Sequence, residues 1–207
     1  QGTTTSLQGN IVNNASVVFS QSTDGTYAGA MSGTGGLSVT GTGTGTVTLT
    51  GANSYSGGTT VMAGILQGTT TSLQGNIANN ANVLFNQNTD GTYTGDMSGS
   101  GRLLLIGRGN VTLTGANTYS GGTTVLGGTL TGTTTSLQGN IINNGAVVFA
   151  QSTDGTYAGS LSGTGGLTKS GAGNLTLTGF NTYGGGTTVS GGTLTGTTSS
   201  LQGNILN

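Results

Sequence analysis

One decapeptide occurs four times in this chain and sets narrow limits on what the chain can fold into. GTTTSLQGNI begins at Gly2, Gly68 and Gly132, and returns with one change as GTTSSLQGNI at Gly196. The last two intervals are equal, and the first is two positions longer. The stretches between the copies repeat as well. They read STDGTYAGAMSGTGGL, NTDGTYTGDMSGSGRL and STDGTYAGSLSGTGGL, then GANSYSGGTTV, GANTYSGGTTV and GFNTYGGGTTV. Self-similarity at a fixed long period marks a repeat architecture. Each unit then packs mainly on its neighbours, so the chain is a segment of a rod and not a globule around a pocket. The spacing predicts one continuous solenoid over residues 1–207, with repeats at about 2–67, 68–131 and 132–195 and a fourth begun at 196–207. The chain starts at Gln1 without a signal peptide and stops inside a copy of the motif, which predicts a piece of a longer repetitive protein.

Composition removes most alternatives. Gly supplies 45 of the 207 residues, but there is no Pro and no Gly at every third position, so collagen is excluded. Disorder needs low hydrophobicity and high charge, whereas 31% of this chain is hydrophobic and only 3% is charged. The net charge of −1 comes from Arg102, Arg108 and Lys169 against Asp24, Asp90, Asp96 and Asp154. That set has no basic cluster for nucleic acid and no basic amphipathic face for an anionic membrane. Apolar runs such as Leu103 to Ile106 are far too short to span a bilayer, so no membrane insertion by this segment is expected. There is no Cys and no His, which excludes disulfide staples, thiolate metal sites and Cys or His catalysis.

The local pattern points to short strands. Gly interrupts every window at a cost of about 1 kcal/mol per helix-interior site, and no stretch carries apolar residues at helical spacing. Thr46 to Thr50, Val111 to Thr114 and Leu175 to Thr178 alternate apolar residues with Thr, placing one row inward and one outward. Thr59 to Val61, Val17 to Phe19, Val83 to Phe85 and Val147 to Phe149 are further strands, separated by Asp-Gly, Asn-Asn and Gly-Gly turn signals. The interval from Gly68 to Gly132 suits three turns of a parallel coil at about 21 residues each. Val125, Val147, Leu167 and Val189 would then stack in one inward row. The excess of the first period falls between Leu37 and Val47, where GTGTG lengthens a corner. A whole number of coils per repeat would put the four decapeptides on one face.

The residues resemble a known family. GNLTLTGFNTYGGGTTVSGGTLTG from Gly173 and GNVTLTGANTYSGGTTVLGGTLTG from Gly109 are similar to the autotransporter-associated β-strand repeat, also called the passenger-associated transport repeat. TVTLTGANSYSGGTTVMAGILQG from Thr46 is similar too, with Met62, Ala63 and Ile65 as departures. The resemblance covers about a third of each repeat. It implies an all-β fold, a right-handed parallel β-helix (β-solenoid) with pectin-lyase-like stacking. It further implies an extracellular location or the outer surface of a Gram-negative bacterium, reached through an outer-membrane barrel, a route that disulfides would impede.

Chemistry finds little to work with. The recurring Asp of TDGTY reads as a corner and not as a ligand or an acid, so Asp24, Gly25, Asp90, Gly91, Asp154 and Gly155 are assigned as structural corners. Asp90 and Asp96 form the one carboxylate pair close in sequence, but no Glu or other charge supports a glycosidase there. Asp96, where the other repeats carry Ala30 and Ser160, and the isolated Lys169 both read as solvated surface. No catalytic, cofactor-binding or metal site is assigned, and no cofactor is expected. The six tyrosines are expected to cover corners, with surface contacts to glycans or proteins as the other reading. The expected function is a non-enzymatic, stiff stalk or fibre body of a secreted or cell-surface passenger. The alternative is an adhesin or self-association surface. Its partners would be other copies of the chain, end to end or side by side, or a host surface or glycans. An ice-binding or polysaccharide-active solenoid is the remote alternative.

Overall fold

The computed structural model describes residues 1–207. It contains strands, turns and no helix. All strand pairs are parallel, and each strand joins the segment that returns beside it one coil later. The result is a β-solenoid of about ten turns with three faces. Alternation sets the interior. In Asn82–Asn86, for example, Val83 and Phe85 are buried while Asn82, Leu84 and Asn86 are half-exposed. Thirty-four buried apolar residues form one continuous cluster along the axis. Within it Phe19 packs on Tyr27, Phe85 on Tyr93 and Phe149 on Tyr157, with ring centroids 5.3, 5.4 and 4.9 Å apart.

Each repeat consists of ten segments. In the second repeat they are Ile77–Asn79, Asn82–Asn86, Gly91–Tyr93, Met97–Ser98, Arg102–Ile106, Asn110–Leu113, the stretch around Asn117, Thr123–Val125, Thr129–Gly132 and the turn 133–137. Every segment stacks on the third one after it. Asn82–Asn86 pairs with Arg102–Ile106, that strand with Thr123–Val125, and that in turn with Ile141–Asn143. Ten segments over three faces make three and one-third coils. Equivalent strands therefore fall in different sheets: Ser16–Ser20, Asn82–Asn86 and Ala146–Ala150 belong to three separate ones.

About three coils per repeat is right in the coarse, but the expected whole number is not. With three and one-third coils in a repeat, each coil is shorter than the expected third of the period. The decapeptides do not share a face, because the decapeptide itself supplies the tenth segment. Its TTTS stretch closes a single helix-like turn, with Leu73 N–H donating to Thr69 O and Thr69 N–H to Ser72 Oγ. That turn fills the width of one face and buries Leu73 without forming a strand. Gly75, at φ +65°, then redirects the chain into the next strand, a conformation that a side chain would strain.

The inward rows shift accordingly. Val147 does stack on Leu167, but Leu130 lies below that pair and Thr187 above it. Val125 sits between Leu105 and Asn143, while Val189 pairs with Lys169. The long first period is explained by its corner. Five residues separate Thr40 from Thr46, against three between Ile106 and Asn110. The pairing across that corner absorbs the excess, with a step of 22 where the second repeat has 20.

Candidate functional site

The polar residues that recur at the corners turn out to bind the rod's own backbone. Asp24, Asp90 and Asp154 each accept the N–H of the next coil, from Thr46 at 2.8 Å, Asn110 at 2.9 Å and Asn174 at 2.8 Å. The following Gly25, Gly91 and Gly155 open strands in ordinary extended conformation. They are Gly for want of space, since a Cβ would run into the side chains of Thr4, Thr70 and Thr134. Asp96 is not idle surface. It accepts the N–H of Ala116 at 2.7 Å, a bond that Ala30 cannot make. Asp90 and Asp96, paired in the sequence, thus serve two different backbone N–H groups of the following coil. No group of three or more Asp or Glu gathers to hold a metal.

Asparagine does the same work in the interior. Asn53, Asn117 and Asn181 are buried. Each accepts the N–H of the coil below, at Met31, Met97 and Leu161, and donates to the coil above, at Ser72, Ser136 and Ser200, all within 2.6 to 2.7 Å. Asn13, Asn79 and Asn143, each the first residue of an Asn-Asn pair, have negative φ and are buried. Their side-chain amides donate to Gly36, Arg102 and Gly166 carbonyls. Backbone groups that leave the strand ladder at a corner are satisfied in this way. No buried side-chain polar atom lacks a partner.

Tyrosine supplies no surface contact. All six rings are buried, with at most 3% of their surface exposed. Tyr27, Tyr93 and Tyr157 donate to the carbonyls of Gly9, Gly75 and Gly139, and Tyr55, Tyr119 and Tyr183 pair with Thr59, Thr123 and Thr187 hydroxyls. Burial raises the phenol pKa of Tyr27, Tyr55, Tyr93, Tyr119 and Tyr157. The sequence held the signal, because Gly-Thr-Tyr alternates and Tyr27 follows the exposed Thr26. Outward Thr does stack on successive coils in one column, Thr92, Thr112 and Thr131, which Val148 then interrupts before Thr168 and Thr188. Thr48, Thr112 and Thr176 lie in three different sheets, one per repeat.

Lys169 corrects the sequence reading most sharply. It is fully buried, in the inward position that Val39 and Leu105 occupy in the other repeats. Its Nζ donates to the carbonyls of Ser170 and Gly171 at 2.8 Å and of Gly191 at 3.0 Å. The ammonium's three donors are all used, with no carboxylate present. Desolvation lowers its pKa.

Hollows of about 260 and 280 Å³ lie near the two ends of the rod, one beside Thr3, Gln21 and Thr42 and the other beside Val189, Leu194 and Ile205. A shallow polar groove of about 150 Å³ lies along the corner beside Arg102, Ser120, Thr123, Asn140 and Ile142. It brings together no acid, base and nucleophile, so it offers no arrangement for bond-breaking chemistry.

Comparison with known proteins agrees with the geometry. Three stretches, residues 39–67, 96–131 and 167–195, match the family described as the passenger-associated-transport-repeat. Over 144 residues, 55% of its length, the chain is 39% identical to the adhesin BmaC autotransporter of Brucella suis biovar 1 (strain 1330). It spans 4% of the length of that relative. No solved structure matches the chain.

Proposed function

We propose that this chain, which carries the passenger-associated-transport-repeat three times, is a stiff, non-enzymatic stalk segment of an autotransporter passenger, presented at the bacterial surface or released from it. The observation that supports it most is the ladder itself. Parallel backbone pairing recurs in every coil from Gly2 to Leu206, and where a face is interrupted by a turn or a corner, side chains of Asp, Asn and Gln link one layer to the next. A rod so built resists bending, because every layer is hydrogen-bonded to the next. Each repeat extends it by three and one-third layers, about 16 Å at the usual strand spacing. The test is made in the full-length protein on its own cells. Deleting residues 68–131 should bring an epitope at the far end closer to the membrane by that one increment, about 16 Å, while surface expression stays normal. An unchanged distance would sink the stalk reading.

One observation favours a second role. The relative of stated name is an adhesin, so this stretch would itself take part in adhesion. Cells displaying the repeats should then clump or coat a surface more than cells displaying the same passenger without them. Equal adhesion leaves the stalk role alone standing.

A further inference from the structure

The strand Arg102–Ile106 differs from its counterparts on its outward side. Gly36, Ser38 and Thr40 in the first repeat, and Gly166, Thr168 and Ser170 in the third, correspond to Arg102, Leu104 and Ile106. Register stacks Leu104 between Leu84 and Thr124, and Ile142 follows one layer on. Leu126, whose N–H donates to Leu105 O, comes to lie beside Ile106. Leu126 is 53% exposed and Ile142 48%. With Leu84, Leu104 and Ile106, which are half-exposed, they form an outward apolar patch four layers tall, about 14 Å along the rod, with Thr124 set into it. Elsewhere on this face the outward row is polar: Thr26, Thr48 and Gln67 below, Ser162 above. A cluster of outward apolar residues within a polar surface marks a contact site.

Charge indicates what the contact carries. Of three cations in the chain, Lys169 is buried, and the other two stand exposed at the two ends of this strand. Arg102 opens the strand, and Arg108 stands in the corner that follows Ile106. The polar groove opens at the Arg102 end, with Ile142 as its apolar wall and the guanidinium as its only charge. The matching positions in the other repeats carry Gly36 and Gly166, so only this strand places a cation there.

We propose that this patch is a docking surface for an extended, acidic and apolar polypeptide segment of another protein. A carboxylate enters the groove and takes the fork of Arg102 donors, while apolar side chains lie over Leu104, Ile106 and Leu126. An extended peptide suits the site because its side chains on one face repeat every two residues, the same interval as Arg102, Leu104 and Ile106. A second copy of this chain suits it poorly. Patch on patch would set arginine against arginine. The chain's own carboxylates, moreover, already accept backbone N–H groups at their corners. A lipid surface would have to dehydrate the Thr- and Asn-rich rows on either side. The inference stands apart from the stalk role, since the rod keeps its length whether or not the patch is occupied.

The experiment is fluorescence anisotropy with the 207-residue chain and a labelled eight-residue peptide alternating valine and aspartate. A valine–lysine peptide, phosphatidylglycerol vesicles and sedimentation of the chain alone complete the set. The variant combining Arg102→Gly, Leu104→Ser and Ile106→Thr gives this strand the outward residues of the first repeat, and Arg102→Gln removes only the charge. The aspartate peptide should bind saturably, at least tenfold tighter than the lysine peptide. Both variants should weaken it at least tenfold while the circular dichroism spectrum stays unchanged. Equal binding of the two peptides, undiminished binding to the triple variant, or no saturable binding would overturn the proposal. So would vesicle binding without peptide binding, which assigns the patch to lipid, or a dimer that the triple variant abolishes, which assigns it to a second copy.

Discussion

The strands Gly36–Thr40, Arg102–Ile106 and Gly166–Ser170 hold the same place in three successive repeats and lie in three different sheets, yet they share little sequence. Their first inward position is Leu in all three. The second is Val39, Leu105 or Lys169, and the outward positions run from Gly, Ser and Thr to Arg, Leu and Ile. The contrast marks where this architecture is strict. An inward side chain must fill its layer, and even a lysine is admitted when backbone carbonyls take its three donors. An outward side chain meets water and is free to change. That freedom let one strand in three become apolar without disturbing the coil.

Substitutions at these positions put the contrast to the test. Leu105→Asp should have the largest effect, about 4 kcal/mol or more of destabilisation in urea denaturation, because carbonyls cannot satisfy a buried carboxylate. Leu105→Lys should cost clearly less, since the backbone around it can offer the carbonyls that Lys169 uses. Equal losses for the two would show that the cradle around Lys169 is not a backbone property. Leu105→Ala should cost about 3 kcal/mol, through lost burial and an unfilled layer.

Lys169→Leu comes next and runs the other way, raising the denaturation midpoint at neutral pH by removing the desolvated charge. The same lysine makes a pH signature. Its folded pKa lies below the ordinary 10.5, so over the approach to pH 10 the unfolded chain holds more protons and stability rises with pH. Above about 10 the sign reverses. The buried tyrosines ionise first in the unfolded chain, their folded pKa values being raised, and their contribution is lost. Lys169→Leu should erase the rise and leave the fall. Last, Leu104→Ser with Ile106→Thr should move stability by no more than about 0.5 kcal/mol. A larger loss would mean that the outward patch is part of the packing.

Much of this was legible in the residues. Alternation in TVTL, NVTL and NLTL, the Gly-rich corners and the period were enough for a parallel solenoid with a lengthened corner before Thr46. The phase was hidden because two of the ten segments are not strands. The turn at 69–73 and the stretch at Asn53 carry no strand signal, yet each fills a face. The strands Met31–Ser32 and Gly25–Tyr27 are too short for a pattern to stand out. Lys169 was readable from its alignment with Val39 and Leu105, but a lone charge among Gly, Thr and Ser looks like surface when its strand is taken alone. The outward apolar patch needed register, since Leu84, Leu104 and Ile142 come together only through pairing.

The extra third of a coil in each repeat couples length to direction. In a longer array of such units, gaining or losing one repeat lengthens the shaft by one increment and also cranks everything beyond it through a third of a revolution. Three units are needed before the far end points the same way again. A change in copy number would then act on this shaft as a three-position dial that sets which way its tip faces.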